Sequence, residues 1–252
     1  MTKQGLVYYP ASHRYKLDGQ WVQGVTTLIK GGMPNSALMY WSARSVAEYV
    51  ADEPDQVERL RHMGRGPMVA ALKEVPWQAR DEAANRGTEI HDYAYRIVKG
   101  EEVEVPESLV GHVESCINFL EDYDIEPTLA EAAVGSRKHR YAGTLDLIAN
   151  DLIWDYKSGR SGIFPEAAFQ ESAYAFADFH GLDGDEHPMP VVQGARGVHL
   201  RADGYDVYPL EFGRHVLDEF LAIAEVARIA KRAKGDRNTP GYVKPALQLE
   251  TA

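Results

Sequence analysis

The sequence predicts an α/β (α+β) protein in which helices flank a mixed central β-sheet and the N-terminal half is mostly helical. Three observations support this fold class. The first half contains long segments with apolar residues at helical spacing. The second half alternates short strand patterns with single helices. Turn sequences such as Asn150-Asp151 join neighbouring strand patterns and favour hairpins. We therefore expect helices packed around a sheet.

Four elements are predicted in the N-terminal half. They are a hairpin over His13–Val22, a helix from Asn35-Ser36 to about Ala51, a helix over Trp77–Lys99 and a helix from Pro106 to about Tyr123. The hairpin has Asp18-Gly19 as its two-residue turn. Pro54 ends the first helix because a proline cannot continue the hydrogen-bond ladder. Gly100 ends the second helix in the position that glycine favours after a helix.

The C-terminal half begins with strands and closes with a helix. Its predicted elements are the strands Leu129–Val134, Tyr141–Ala149 and Leu152–Tyr156, the helix Pro165–His180, the strands Gly197–Arg201 and Tyr205–Leu210, and the helix Gly213–Ala233. The segment Ala202-Asp203-Gly204 supplies the turn of a second hairpin. We expect a single domain over residues 1–235, with its N-terminal hairpin and helices over 1–79, and a flexible polar tail over 236–252.

Composition excludes several classes of protein. The 252 residues include one cysteine, Cys116. A single cysteine excludes an internal disulfide framework, a four-cysteine iron–sulfur cluster and a CxxC zinc site. The sequence has neither an apolar run of transmembrane length nor the apolar core of a secretory signal. We therefore expect a cytoplasmic protein without a membrane partner.

Charge is distributed unevenly along the chain. The formal net charge of −11 argues against non-specific coating of nucleic acid. However, residues 136–160 contain five basic and three acidic residues, whereas residues 101–126 contain nine acidic residues and no Lys or Arg. The average charge therefore does not exclude a local surface that contacts nucleic acid.

The predicted hairpin at Asn150-Asp151 places two carboxylates together. With a two-residue turn, Asp146 lies directly opposite Asp155, and Lys157 lies one same-face step further. Opposed Cβ atoms are roughly 4.5–5.5 Å apart, where two carboxylates repel unless a cation lies between them. Mg²⁺ or Mn²⁺ suits such oxygen ligands, and the lysine could stabilise charge on a phosphate. The alternative is an exposed face with solvated charges. The predicted core face carries Leu145, Leu147, Ala149, Leu152, Trp154 and Tyr156.

Four motifs in this order resemble a known family. They are Gly87-Thr88-Glu89-Ile90-His91, Gly143-Thr144-Leu145-Asp146, Asp155-Tyr156-Lys157 and Gln170-Glu171-Ser172-Ala173-Tyr174. This pattern resembles the PD-(D/E)XK nuclease superfamily, and more narrowly its RecB-like exonuclease branch. The resemblance covers about residues 80–180, and residues 13–29 more weakly resemble the opening of phage-type members. The sequence has Leu145 where the family has a proline, and it lacks the cysteines of the iron–sulfur relatives.

The resemblance implies a restriction-endonuclease-like fold and metal-dependent hydrolysis of DNA. It implies that Asp146 and Asp155 bind Mg²⁺ or Mn²⁺ and that Lys157 is catalytic. It adds as metal ligands His91, the backbone carbonyl of Tyr156 and Glu131. Substrate contacts are then expected from Gln170, Tyr174, Arg137, Lys138, Arg140 and Arg160. These residues also have simpler explanations. His91 could be an ordinary helix histidine, and Glu131 could be a charge on an edge strand. Tyr174 could be a core tyrosine with Gln170 as its polar neighbour, and residues 137–140 could form a solvated basic turn.

The functional hypothesis is a Mg²⁺- or Mn²⁺-dependent deoxyribonuclease without an iron–sulfur cluster. A RecB-like exonuclease of DNA recombination, repair or phage DNA metabolism fits best, in the cytoplasm of a bacterium or a phage-infected cell, with DNA as its partner. Two alternatives remain: a non-catalytic DNA-binding or assembly module on a nuclease fold, and a structure-selective endonuclease. The motifs determine neither the polarity of digestion nor the oligomeric state.

Overall fold

The computed structural model describes residues 5–34, 36–159, 161–235 and 241–243. Its strands are β1 (Leu6–Tyr9), β2 (Arg14–Leu17), β3 (Gln20–Gly24), β4 (Pro127–Ser136), β5 (Tyr141–Ala149), β6 (Leu152–Lys157), β7 (Phe179–His180), β8 (Gly194–Arg201) and β9 (Gly204–Leu210). Its helices are α1 (Val25–Gly32), α2 (Ser36–Asp52), α3 (Pro54–His62), α4 (Arg65–Val98), α5 (Val110–Asp122), α6 (Glu166–Ala175) and α7 (Arg214–Lys234). Short 3-10 turns occupy Pro10–Ser12 and Glu107–Leu109. Among the described helices, none combines the length and apolarity needed to cross a bilayer.

The hairpin turns of the structure follow the sequence closely. Strands β2 and β3 pair across Asp18 and Gly19, whose φ angles are 51° and 77°. Strands β5 and β6 pair across Asn150 and Asp151, with φ angles of 52° and 58°. Positive φ at both central residues is the geometry of the tight turn that these sequences favour. These two predicted hairpins are therefore confirmed, and β8 pairs with β9 across Ala202 and Asp203, as the third predicted hairpin requires.

Some predicted helix boundaries were wrong, and strand β1 was missed. Helix α4 begins at Arg65 instead of Trp77, and Pro76 lies inside it. Helix α6 ends at Ala175 instead of continuing to His180, because Phe179 and His180 pair with strand β4. Strand β1 was not predicted, since its four residues Leu-Val-Tyr-Tyr show no alternation. Tertiary pairing, which local sequence does not encode, decides the last two cases.

The sheet divides beside its central strand β5. Strand β4 pairs antiparallel with β5 along one side. The other side is shared: β3 pairs in parallel with Tyr141 and Ala142, and β6 pairs antiparallel with residues 147–149. Within these described strands, residues 143–146 have no ladder partner on that side. We call this segment, Gly143–Asp146, the fork.

Helices cover both faces of the mixed sheet. One apolar cluster joins α1, α6 and α7 to the sheet and includes Leu145, Ile148, Ile153 and Phe220. The other joins α4 and α5 to the opposite face and includes Ile90, Phe119, Leu147 and Trp154. The predicted architecture of a mixed sheet flanked by helices is therefore confirmed. Two details of the β5–β6 hairpin were wrong: both of its faces are buried, and Leu145 packs on the face opposite to Leu147.

Candidate metal centre

Three potential metal ligands meet at the fork. His91 comes from α4, Glu131 from β4 and Asp146 from β5, and one nitrogen or oxygen of each lies within 4.8 Å of the others. The His91 Nδ1 atom is 3.5 Å from Asp146 Oδ1 and 3.9 Å from Glu131 Oε1. All three side chains are partly exposed. The structure thus brings together three residues that lie up to 55 positions apart in the sequence.

Strands β4 and β5 are both irregular where the acids face each other. Glu131 has a φ of 46° and lies between the pairs Ala130–Leu147 and Ala132–Leu145. A left-handed conformation is uncommon for a residue other than glycine, and it costs on the order of 1 kcal/mol. Ala130 and Leu147 pack on the α4 face, whereas Ala132 and Leu145 pack on the opposite face. The alternation of both strands is therefore reversed at Glu131 and Asp146, which accounts for the unexpected facing of Leu145.

Asp146 does not form the predicted direct pair with Asp155. The β5–β6 ladder ends at Leu147 and Trp154 because the strands diverge at the fork. The Asp146 carboxylate fills this gap and accepts a hydrogen bond from the Tyr156 N–H, at 2.8 Å from Oδ2. The predicted register was correct for the first three pairs of residues, but a side chain replaces the backbone at the fourth.

Asp155 lies deeper in the protein, with 1% of its surface exposed. Its Oδ1 atom accepts hydrogen bonds from Lys157 Nζ at 2.6 Å and from Gln170 Nε2 at 2.8 Å. Its Oδ2 atom is buried and has no hydrogen-bond partner among the described residues. Buried carboxylate oxygens normally accept a hydrogen bond or bind a cation. The unpartnered Oδ2 atom is therefore suited to bind a cation or a water molecule.

Charges within the site shift the pKa of each ionisable group. Burial opposes the charged form of His91, but Asp146 outweighs it and raises the pKa of the imidazole to about 9. Burial would raise the pKa of Asp146, but His91 and Lys157 lower it. Burial and the charge of Asp146 raise the pKa of Glu131 to about 7. Burial also raises the pKa of Asp155, although Lys157 opposes it. The site therefore concentrates negative charge that two cationic side chains only partly offset.

Tyr174 packs into the fork from helix α6. A Cβ atom built on Gly143 would lie 2.3 Å from Cε1 of the Tyr174 ring, closer than any real contact. Gly143 is thus needed for the ring to approach strand β5. Tyr174 is itself buried, so the structure places it in the core beside the site. Its predicted contact with substrate stays a prediction, whereas Gln170 reaches the site by binding Asp155.

The basic turn between β4 and β5 is docked onto the β2–β3 hairpin. The Arg137 guanidinium binds Asp18 at 2.9 Å and Glu186 at 2.8 Å. Arg140 donates a hydrogen bond to Gln20 Oε1, and the backbone N–H of Lys138 donates one to Asp178. Tyr141, at the end of this turn, is five residues along β5 from Asp146, or roughly 16 Å. Phosphate contacts by these residues stay a prediction, and Arg160 lies outside the described residues.

Glu171 is a site residue that the sequence analysis did not assign. It is buried in helix α6, its Oε1 atom accepts a hydrogen bond from Gln170, and its Oε2 atom has no partner among the described residues. Burial, with the charges of Asp155 and Asp146, raises its pKa well above the ordinary value. A sequence signal was present: on a helix, Glu171 shares a face with Ala167 and Ala175, which are small apolar residues.

Comparison with known proteins does not identify this site. The sequence matches no family model and no curated protein. The chemistry proposed below therefore depends on the residues themselves and on their geometry.

Proposed function

We propose that this protein is a Mg²⁺- or Mn²⁺-dependent deoxyribonuclease of PD-(D/E)XK type with a restriction-endonuclease-like fold. The observation that supports this most strongly is the meeting of His91, Glu131 and Asp146 at the fork. Asp155 and Lys157 adjoin them, because the intervening Tyr156 donates its N–H to Asp146. Paired carboxylates with a lysine at the end of diverging strands suit hydrolysis of a phosphodiester.

The donor set fits a hard divalent cation. Carboxylate oxygens and one imidazole nitrogen are ligands that Mg²⁺ and Mn²⁺ accept. The orphaned Asp155 Oδ2 adds a fourth candidate donor, and the Tyr156 carbonyl was expected to add another. Four acids, Glu131, Asp146, Asp155 and Glu171, surround two cationic side chains, His91 and Lys157. A dication would favour the ionised forms of these acids, whose pKa values are raised by burial and by one another's charges in the case of Glu131, Asp155 and Glu171.

The residues divide the chemistry among them. A metal ion bound at the fork would activate water and neutralise charge on the scissile phosphate. The Lys157 ammonium stays protonated, because the charges of Asp155 and Asp146 outweigh burial and raise its pKa. It can therefore donate hydrogen bonds to a phosphate oxygen as negative charge develops there. Gln170 holds the Asp155 carboxylate in place from helix α6.

Digestion of end-labelled DNA tests the proposal. Single- and double-stranded oligonucleotides labelled at the 5′ or 3′ end are incubated with Mg²⁺, Mn²⁺ or EDTA. We expect cleavage with metal, none with EDTA, and a loss of about 100-fold or more in Asp155→Asn and Lys157→Gln. The matched control is Asp151→Asn in the same hairpin, where φ is 58° and asparagine is tolerated. Wild-type rates in both site variants would contradict the assignment.

Metal binding can be measured without catalysis. A ligand that binds only the folded state raises its stability by mass action, by about 2.7 kcal/mol at a hundredfold excess over Kd. We expect saturating Mn²⁺ to raise the thermal midpoint of the wild type and of Asp151→Asn, but not that of Asp146→Asn. An equal rise in all three proteins would place the metal elsewhere.

Two other functions give different outcomes in the same assays. A non-catalytic DNA-binding module would bind the oligonucleotides but leave them intact with either metal. A structure-selective endonuclease would cut closed circular single-stranded DNA, on which a strict exonuclease cannot begin. The acids and Lys157 together form a complete hydrolytic set, which favours a nuclease over the non-catalytic module. The choice of an exonuclease follows the resemblance of the motifs to the RecB-like branch.

A further inference from the structure

The outer face of the N-terminal hairpin presents an exposed group of rings and cations. Tyr9 and Trp21 are 37% and 47% exposed, and their ring centroids are 5.1 Å apart. The Arg14 guanidinium lies 4.0 Å from the Trp21 ring centroid, and Lys16 Nζ lies 4.7 Å from it. We call these four residues the aromatic platform.

Strand alternation explains why the four side chains share one face. Tyr15 and Leu17 point inward and are buried, so Arg14 and Lys16 point outward. Tyr9 pairs with Arg14 and Lys16 pairs with Trp21 across the three strands. The inward residues pack against the core beside Ala133 and Phe179. The exposed parts of the two large rings on the other face contribute no hydrophobic stabilisation to the fold.

The charge of the platform is opposite to that of the chain. The protein carries a formal net charge of −11, yet the outward positions of β1 and β2 carry Val7, Tyr9, Arg14 and Lys16 and no acid. The acid at the hairpin turn, Asp18, is paired with Arg137. Arg140 adjoins the same hairpin through Gln20. The surface is therefore complementary to an anionic ligand that has flat rings.

We propose that the aromatic platform binds single-stranded nucleic acid, with bases stacked on Trp21 and Tyr9 and phosphates beside Arg14 and Lys16. Exposed aromatic rings on a sheet, flanked by cations, bind unpaired bases because every base has a face that stacks. Paired bases in a duplex do not offer these faces. This inference rests on the proposed nuclease function, for which it names the substrate as a single strand.

The platform and the metal centre lie on adjacent parts of one sheet. Strand β3, which carries Trp21, pairs with β5 at Ala142, immediately before the fork. From the inner face of the hairpin, the Tyr15 hydroxyl bonds Thr144 Oγ1 at 2.8 Å, two residues from Asp146. A strand held on the platform is thus bound on an element that is fixed directly to the strand carrying Asp146.

Fluorescence anisotropy with a labelled oligo(dT) of about 12 nucleotides tests this binding, since such lengths match known single-strand site sizes. The full chain is titrated in EDTA, so that binding is measured without turnover. We expect Trp21→Ala to weaken binding by about 5- to 150-fold, the loss that one base–aromatic stack gives. Trp21→Phe should keep most of the affinity. The matched control is Trp77→Ala on α4, where the tryptophan is 45% exposed and binding should be unchanged.

An abasic strand of the same length separates stacking from charge. We expect the wild type to bind the abasic strand more weakly than oligo(dT). Wild type and Trp21→Ala should bind the abasic strand with nearly equal affinity, because neither can stack on bases there. Equal affinity of the two strands for the wild type, or equal affinity of oligo(dT) for wild type and Trp21→Ala, would overturn the proposal. The nuclease hypothesis fails separately. Platform-dependent binding without metal-dependent cleavage would reject the nuclease, whereas cleavage with unaltered Trp21→Ala binding would reject the platform.

Discussion

Gly143 shows how one residue shapes the candidate site. It has no side chain, so the Tyr174 ring can lie against strand β5 at the position where the sheet divides. The motif that contains Gly143 and Asp146 therefore combines a packing requirement with a chemical one. The same holds for Gln170 and Tyr174 on α6: the first binds Asp155, and the second packs into the fork.

We expect Gly143→Ala to lower the free energy of unfolding by about 1–3 kcal/mol or more, because the added Cβ collides with the buried Tyr174 ring. Urea denaturation followed by circular dichroism measures the change. Gly66→Ala is the control, since nothing lies within 4 Å of its Cβ position and alanine is the better helix former. It should be as stable as the wild type or slightly more stable. Equal stability of Gly143→Ala and wild type would contradict the packing of Tyr174.

The single thiol reports on the core beneath α4 and α5. Cys116 is buried in the cluster that contains Ile90, Phe119 and Trp154, and burial raises the pKa of its thiol to about 12. The thiolate is the reactive form, so the native protein should react with a disulfide reagent only when it unfolds. At pH 8 we expect labelling at least about a thousandfold slower than in denaturant, given the usual stability of domains. Rapid native labelling would show that this core opens locally.

At the scale of elements, the hairpins could be predicted because their turn residues determine the local backbone conformation. Asp18-Gly19 and Asn150-Asp151 adopt positive φ, so both hairpins and their registers follow from the turn residues. The divergence of β5 and β6 at Asp146 could not be predicted in this way. It depends on Tyr174 and β3, which meet β5 from distant parts of the chain.

The candidate site was likewise predictable only where short motifs mark its residues. His91, Asp146, Asp155, Lys157 and Gln170 were found because each is at a motif position. Among the described residues, the structure brings together His91, Glu131 and Asp146 as potential metal ligands, instead of the expected directly opposed Asp146–Asp155 pair. The left-handed backbone at Glu131 and the burial of Glu171 depend on tertiary contacts. The sequence therefore identified Glu131 less firmly than the motif residues and did not identify Glu171.

The docking of the β2–β3 hairpin predicts a pH dependence. Hydrogen bonds from Arg137 and from the Gly5 N–H lower the pKa of Asp18 in the folded state. A lowered pKa contributes stability that is present above the unfolded value of about 3.9 and is lost as the pH falls through the folded value. We expect Asp18→Asn to be less stable than wild type at pH 7, by no more than about 1 kcal/mol because the pair is exposed. Near pH 3 the difference should shrink.

Urea unfolding at both pH values measures this difference. Asp151→Asn, in the other tight turn, is the control and should match the wild type at each pH. A stability difference between Asp18→Asn and wild type that is equal at pH 3 and pH 7 would mean that the Asp18 carboxylate does not act through its charge.

At the scale of the whole molecule, the burial of apolar surface is uneven. Strands β5, β6 and β8 are covered on both faces by the two apolar clusters. By contrast, none of the described side chains of α2 and α3 is buried, and large apolar residues such as Met39 and Tyr40 are exposed there. Because buried apolar area provides most of the stability of a helix in a protein, α2 and α3 should open independently of the sheet.

Hydrogen exchange followed by mass spectrometry tests this division of stability. We expect peptides from α2 and α3 to exchange through local opening, while peptides from β5 and β6 exchange only through global unfolding. Mild destabilisation by Gly143→Ala should therefore speed exchange in β5 and β6, because it acts on the fork, and leave α2 and α3 unchanged. Protection of α2 as strong as that of β5 would contradict the prediction, since the apolar contacts of α2 in the single chain are too few to provide it.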